Sequence, residues 1–312
     1  MYVIIIFDVM KEFDVVLLTD SRYVNPSKVD QYIENVLNED GLVIDALKNL
    51  NIRVTKKDWN DSNFDWSTTK TAIFRSTWDY FDQFSNFKKW LHFVKEKCEL
   101  INPYRQVDWN LDKHYLMDLQ KWNLPIPESI FVPKKSNLKI DVISSEKNWN
   151  HIVIKPTVSG AARNTYQLKN EEIKKFQTKW IQLTNNEDFI IQEFQKNILT
   201  KGEIAVILFG GLYSHSILKK AKKGDFRVQD DFGGTVEKIN PSLEIIELAE
   251  KTLKSLPTTP LYARVDFIFN NLNSPVISEL ELIEPELWFR FKPDSANKLA
   301  LIIKDFLNNL NT

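Results

Sequence analysis

Apolar residues recur along this chain in two alternating rhythms. Phe13–Leu18 is a short buried-type run ending in Thr19-Asp20, and across Val29–Leu50 the residues Ile33, Val36, Leu37, Ile44, Leu47 and Leu50 fall near helical spacing. Ile52-Arg-Val and Thr71–Phe74 are again short apolar runs. Phe84, Phe87, Trp90, Leu91 and Val94 make one face of an amphipathic helix, and Glu99–Ile101 reads as a strand closed by Asn102-Pro103. Strands alternating with helices predict a small open α/β layer over residues 1–105. Within it, residues 1–9 read as an extension upstream of the first strand.

The pattern then changes. Asp112–Trp122 predicts a helix, broken by Leu124-Pro-Ile-Pro127. Ser129–Val132, Ile152–Ile154 and Phe189–Gln192 predict strands, with a helix over Glu171–Leu183. Gly202–Leu208 and Tyr213–Leu218 flank Phe209-Gly210-Gly211, a hairpin signal. Helices over Leu243–Leu256 and Ser295–Leu310 bracket two further strands. The expected fold class is therefore α/β of the α+β kind: an N-terminal α/β layer, then a lobe over 106–192 and a second over 193–312.

Those two further strands carry the clearest chemistry. Leu261-Tyr-Ala-Arg-Val-Asp-Phe-Ile-Phe269 places Asp266 inside an apolar run, and Val276-Ile-Ser-Glu-Leu-Glu281 places Glu279 and Glu281 two residues apart, on one face of a strand. Three carboxylates on neighbouring strands repel in a partly buried site unless a cation lies between them. Mg²⁺ takes such oxygens together with nucleotide phosphates. The alternative is an edge hairpin with its charges in solvent, disfavoured by the depletion of Asp from strand interiors.

Composition narrows the class. The chain has 312 residues and a formal net charge of −1, so electrostatics makes no case for nucleic acid or an anionic membrane surface. No apolar run reaches the roughly 18–20 residues that span a bilayer. The single cysteine, Cys98, excludes an intramolecular disulfide and a cysteine-rich zinc cluster, and fits a cytoplasmic setting. No Ser-His-Asp or Cys-His set stands out, and the four histidines are scattered.

Other segments carry weaker signals. Ile152-Val-Ile-Lys155-Pro puts an ammonium at the end of an apolar strand, where it needs an anion. The loop that follows contains Ser159, Gly160 and Arg163; its backbone N–H groups and hydroxyls suit a phosphate, although an ordinary turn has the same composition. Gln192-Glu193-Phe194 leads from a strand into a connector that could meet an adenine edge, and Glu203 could accept from ribose hydroxyls or simply sit on a surface strand. The basic run Lys219-Lys220-Ala-Lys222-Lys223 reads equally as a solvated turn, and Arg227 leads into Asp231-Phe-Gly233-Gly234, a segment suited to an active-site loop. Arg75, Ser76 and Thr77 follow a strand of the first layer; Arg75 could grip a substrate carboxylate or pair with Asp79 and brace the turn.

In this order, Lys113, Lys155-Pro156, the small-residue loop to Thr165, Gln192-Glu193-Phe194, Glu203, Arg227, Arg264-Val-Asp266 and Glu279-Leu-Glu281 resemble the ATP-grasp superfamily, in its glutathione-synthetase-like and ribosomal-S6-modification-like branch. Arg75-Ser-Thr-Trp-Asp-Tyr, Tyr213-Ser-His-Ser and Gly224-Asp-Phe-Arg-Val-Gln are further similar to a bacterial subgroup that includes a cycloserine-forming cyclo-ligase. The resemblance runs from about residue 13 to 290. It implies ATP between two α+β lobes and Mg²⁺, or Mn²⁺ in its place, on Asp266, Glu279 and Glu281. Lys113 and Lys155 would contact ATP phosphates, with Ser159, Gly160 and Arg163 in the phosphate loop. Gln192, Glu193 and Phe194 would hold adenine, Glu203 the ribose, and Arg227 and Arg264 would neutralise the transferred phosphate. The family commonly has Asn where Glu281 stands, which leaves the number of metal ions open. The implied activity is an ADP-forming carboxylate–amine ligation through an acyl phosphate, with small-molecule carboxylate and amine substrates and a homodimer left open. A small-molecule kinase and a non-catalytic ATP-binding module are the alternatives.

Overall fold

The computed structural model describes residues 11–160, 162–222, 224–225, 227–228 and 233–310. The expected extension at 1–9, and Lys223 and Asp231 of the predicted loops, lie outside the described residues. Three sheets organise the rest.

The first is parallel. β1 (Phe13–Thr19), α1 (Gln31–Asn49), β2 (Val54–Asp58), β3 (Thr69–Ser76), α2 (Phe84–Val94) and β4 (Glu99–Ile101) give the strand order β2-β1-β3-β4. Asp30 caps α1, its carboxylate accepting from the Ile33 N–H at 2.8 Å, a contact that contributes about 1 kcal/mol. The strand expected at Ile52 begins at Val54, because the Ile52 N–H is spent on closing α1 through the Leu47 carbonyl. The expected helix over 112–122 is α4 (Tyr115–Lys121), which starts three residues late and is preceded by a separate helix, α3 (Tyr104–Asn110). Between them the Lys113 N–H is drawn to the Thr157 carbonyl at 2.8 Å, so Lys113 lies in a turn facing the next sheet.

The second sheet is antiparallel. β5 (Ser129–Val132), β6 (His151–Pro156), β7 (Tyr166–Lys169) and β8 (Phe189–Glu193) pair in the order β5-β8-β6-β7, covered by α5 (Ile140–Glu146) and α6 (Asn170–Thr184). Trp149, Trp180, Phe189 and Ile191 are buried among these elements.

The third sheet holds the hairpin and the acidic strands. After the short α7 (Ile198–Lys201) come β9 (Glu203–Phe209), β10 (Leu212–Lys220), β11 (Thr235–Ile239), α8 (Leu243–Lys254), β12 (Tyr262–Phe269), β13 (Pro275–Glu281) and α9 (Asp294–Asn309). The order is β11-β10-β9-β12-β13, antiparallel throughout. β9 is buried on both faces, and its alternation divides two cores. Ala205, Ile207 and Phe209 join α1, β1 and α9; Ile204, Val206 and Leu208 join α8 and α4. The first layer and the third sheet thus share a continuous core. The hairpin sits as the Phe209-Gly-Gly signal requires, with Gly210 and Gly211 at φ of 57° and 80°. Sequence periodicity did not announce α3, α5, β7 or the largely exposed β11.

Candidate active site

A cleft of about 620 Å³ opens between the second and third sheets and is closed at one end by loops of the first layer. Its acids converge through sheet register. In the β12–β13 pairing, Arg264 lies opposite Glu281 and Asp266 opposite Glu279. Alternate residues share a face, so these four side chains form one block. Carboxylate oxygens of Asp266, Glu279 and Glu281 lie within 4.8 Å of one another. Hard oxygen donors at that spacing fit a divalent cation such as Mg²⁺.

Cations interleave with the acids. Arg264 donates to Asp266 through Nε at 2.8 Å and Nη2 at 3.0 Å, and Nη2 reaches Glu281 at 2.5 Å. Lys113 and Lys155 reach the Glu279 carboxylate at 3.5 and 3.4 Å. Lys219 bridges Glu203 at 2.5 Å and Asp266 at 3.1 Å. Four carboxylates (Glu203, Asp266, Glu279 and Glu281) thus stand against four cations (Lys113, Lys155, Lys219 and Arg264). Such a buried set is tolerable only because each charge meets its opposite.

The titration of these groups follows from the same contacts. Burial raises Glu281 to about 7, with Arg264 opposing and the charges on Asp266 and Glu279 adding to the rise. Burial also acts to raise Glu279, but the ammonium groups of Lys113 and Lys155 overcome it and hold that carboxyl down at about 2. Asp266 is likewise held low against burial by Arg264 and Lys219. Burial lowers Lys155 despite the charge on Glu279. Glu284, deeper in the cleft, is raised to about 8 by burial and then by Glu281.

At the far end, the exit of β8 meets β6. The Phe194 ring packs on His151 with centroids 4.1 Å apart, and its N–H donates to the His151 carbonyl at 2.8 Å. Gln192 donates to Ser129 Oγ at 2.8 Å, and Gln195 donates to the Glu193 carbonyl at 2.9 Å. In the loop after β6, the Ser159 carbonyl accepts from Lys113 Nζ at 2.7 Å. A Cβ added at Gly160 would meet the Phe81 ring at 2.5 Å.

Fourteen of the expected residues line this cleft: Lys113, Lys155, Ser159, Gly160, Arg163, Gln192, Glu193, Phe194, Glu203, Arg227, Arg264, Asp266, Glu279 and Glu281. Two of these direct their charge to local acids. Arg163 clasps Glu187 and the Val158 carbonyl, bracing the loop, and Arg227 is bonded to Asp225 at 2.7 Å. Arg75, Ser76 and Thr77 are not among the lining residues. Arg75, buried behind the cleft, pairs with Asp40 at 3.4 Å rather than with Asp79, whose carboxylate is taken by Trp59 and Gln83. Ser76 Oγ lies 2.6 Å from Thr19 Oγ1. Lys219 is the main residue that sequence reading missed. It belongs to β10 and is only 5% exposed, not part of a solvated turn. Its two-residue offset from buried Ile217 was the available signal.

Residues 15–102 match the family model of the D-cycloserine synthetase DcsG N-terminal domain. Over 280 residues, 85% of this chain and 92% of the other, the chain is 27% identical to the cycloserine biosynthesis protein DcsG of Streptomyces lavendulae. The crystal structure of D-cycloserine synthetase DcsG superposes with a TM-score of 0.83, at 24% identity, over 94% of this chain and 99% of that one. The chain has the fold of the ATP-grasp ligases and is similar to cycloserine synthetases. The ATP-grasp fold extends to more distant structures. A D-alanine–D-alanine ligase from Bacillus anthracis matches with a TM-score of 0.66 at 15% identity, over 96% of this chain and 98% of that one. The ATP-grasp ligase PsnB, solved with a precursor variant, Mg and ADP, matches at 0.61 and 14%, over 95% and 99%. Among the described residues no helix is long and apolar enough to cross a membrane.

Proposed function

We propose that this protein is a ligase that activates the carboxylate of a small amino acid or peptide-like molecule with ATP and joins it to a nitrogen, releasing ADP and phosphate. The observation that carries this reading is the block of Asp266, Glu279 and Glu281 interleaved with Lys113, Lys155, Lys219 and Arg264 on the cleft floor. The three carboxylates would hold Mg²⁺, which when bound screens the phosphate charge and orients it for transfer. The cations now paired with those acids would be released to meet phosphate oxygens. Lys113 donates to the Ser159 carbonyl in the loop that carries Gly160, Lys155 and Arg264 lie beside the acids, and Glu193, Phe194 and Gln192 would frame the adenine end. Glu203 is poised for the ribose, with Arg227 brought from the loop after β10.

Phosphoryl transfer to the substrate carboxylate would give an acyl phosphate. The nitrogen then attacks the acyl carbon, the C–O bond to phosphate breaks, and the nitrogen gives up a proton. No side-chain nucleophile is needed. The similarity to proteins named for cycloserine favours a nitrogen in the same molecule, and therefore ring closure. On this reading the chain divides near 105 and 192, in keeping with its three sheets, and works in the cytoplasm, in keeping with buried, unbridged Cys98.

The test is a screen for Mg²⁺-dependent ADP release over amino acids, dipeptides and hydroxy acids, with mass spectrometry of products. Ring closure gives one product lighter than its substrate by one water. A stable phosphorylated product would indicate a kinase instead, and nucleotide binding without ADP release from any mixture would indicate a binding module.

A further inference from the structure

The stretch that follows β13 is neither helix nor strand until a single 3-10 turn at Phe289–Phe291, yet its backbone is held carbonyl by carbonyl. Five consecutive carbonyls each accept from a side chain of another element. Ile283 accepts from Tyr262 Oη at 2.7 Å, Glu284 from Trp78 Nε1 at 3.0 Å and Pro285 from Arg75 Nη1 at 3.5 Å. Glu286 accepts from Arg264 Nη1 at 3.3 Å, and Leu287 lies 2.9 Å from His215 Nε2. Buried backbone outside helix and sheet needs such partners. The next two donors go to one carboxylate: Glu39 of α1 accepts from the Phe289 N–H at 2.8 Å and the Arg290 N–H at 2.9 Å, and is itself 3% exposed.

The stretch forms the wall of the cleft beyond the acid block, through Ile283, Glu284, Glu286 and Trp288. Trp288 holds a left-handed backbone, φ 55° and ψ 38°, which a tryptophan keeps only when its surroundings impose it. Arg290 lies over the Trp288 ring at 4.4 Å and pairs with Glu286, and Glu39 fixes the two N–H groups that follow. Arg264 touches both the acid block and this wall.

We infer that Glu39, which lies outside the cleft, is a positioning residue for its acceptor end: by holding the Phe289 and Arg290 amides it sets Glu286 and Trp288 against the non-nucleotide substrate. This rests on the ligase reading above. The nucleotide end, carried by β6, β8 and β9, makes none of these contacts.

The experiment compares the parent chain with Glu39→Gln and Glu39→Asp. Gln keeps the size but replaces one acceptor with a donor facing an N–H; Asp keeps the charge. With the carboxylate that drives ADP release in the parent, Glu39→Gln should lower kcat/KM about tenfold to a hundredfold, chiefly through KM. Mg–ADP affinity by calorimetry should stay within about twofold, and Glu39→Asp should recover part of the loss. Unchanged KM and kcat in Glu39→Gln would overturn the inference, as would equal losses in Mg–ADP affinity and in KM. If no compound drives ADP release in the parent chain, the ligase reading fails separately. Positioning is then decided by hydrogen exchange: amides of 283–291 exchanging about tenfold faster in Glu39→Gln, with 203–209 and 262–269 at parental rates, supports it. Equal rates across all three segments overturn it.

Discussion

At the residue scale, charges in the cleft differ in what they can lose. Glu279 is 28% exposed along its side chain and meets only lysines, whereas Asp266 is 2% exposed and sits between Arg264 and Lys219. Glu279→Gln should therefore leave folding nearly intact while weakening Mg²⁺-dependent ADP formation by at least the 10–100-fold that even outer-shell losses cost. Near-parental turnover in that variant would remove Glu279 from the metal assignment. Lys219→Met is a harsher change. It leaves Glu203 and Asp266 buried without their shared partner, and breaking a buried pair from one side costs roughly 3–5 kcal/mol. Urea unfolding should reveal that loss; a loss below about 1 kcal/mol would mean the bridge is not formed in solution. The two residues also differ in how readily sequence betrays them. Glu279 and Glu281 announce themselves by their spacing on one strand. Lys219 meets its partners across β10, β9 and β12, a relation that only the sheet creates.

At the scale of elements, β9 depends on how it begins. Gly202 ends α7 at φ 73° and ψ −162°, a conformation essentially reserved for glycine. A Cβ there would lie 2.3 Å from the Lys219 carbonyl, which is backbone and cannot swing aside. Gly202→Ala should cost about 1–3 kcal/mol, and it should also lower nucleotide affinity, since Glu203 and Lys219 face each other across that point. Parental thermal stability together with parental Mg–ADP binding would show that the strand start can adapt. Strong periodicity made the strands and long helices readable: β1, α2, β5 and the β9–β10 hairpin fall where alternation and turn residues place them. The failures have local causes. The helix expected over 112–122 starts only at Tyr115 because the Lys113 backbone bonds to the loop after β6. Arg75 has the sequence of a substrate residue but lies behind the cleft, because α1 supplies Asp40 as its partner.

For the whole molecule, His215 offers a pH readout of how the third sheet holds the stretch after β13. Burial lowers its folded pKa to about 4 from an ordinary 6.5, with the Leu287 carbonyl only partly opposing the drop. The unfolded chain therefore binds this proton first. The contribution is constant above pH 6.5, declines as pH falls from 6.5 toward 4, and amounts to roughly 3 kcal/mol in full. His215→Gln should flatten the fall in unfolding free energy between pH 6.5 and 4 relative to the parent chain. Parallel curves for the two proteins would show that His215 protonates freely in the folded state. That histidine looked merely scattered in the sequence, because nothing local marks a side chain that serves a carbonyl 72 positions away.

The five gripped carbonyls after β13 have a bearing on how such a cleft diversifies. These five grips are all on main-chain oxygen, so they are indifferent to the side chains of the residues they hold. Glu286 and Trp288 are tied further through Arg290; Ile283 and Glu284 are not tied to it. Glu284 in particular can be exchanged without removing any of those bonds, so the molecule has a rigid frame with an interchangeable face. Drift at that position would retune what the cleft accepts while the frame that presents it stays unchanged.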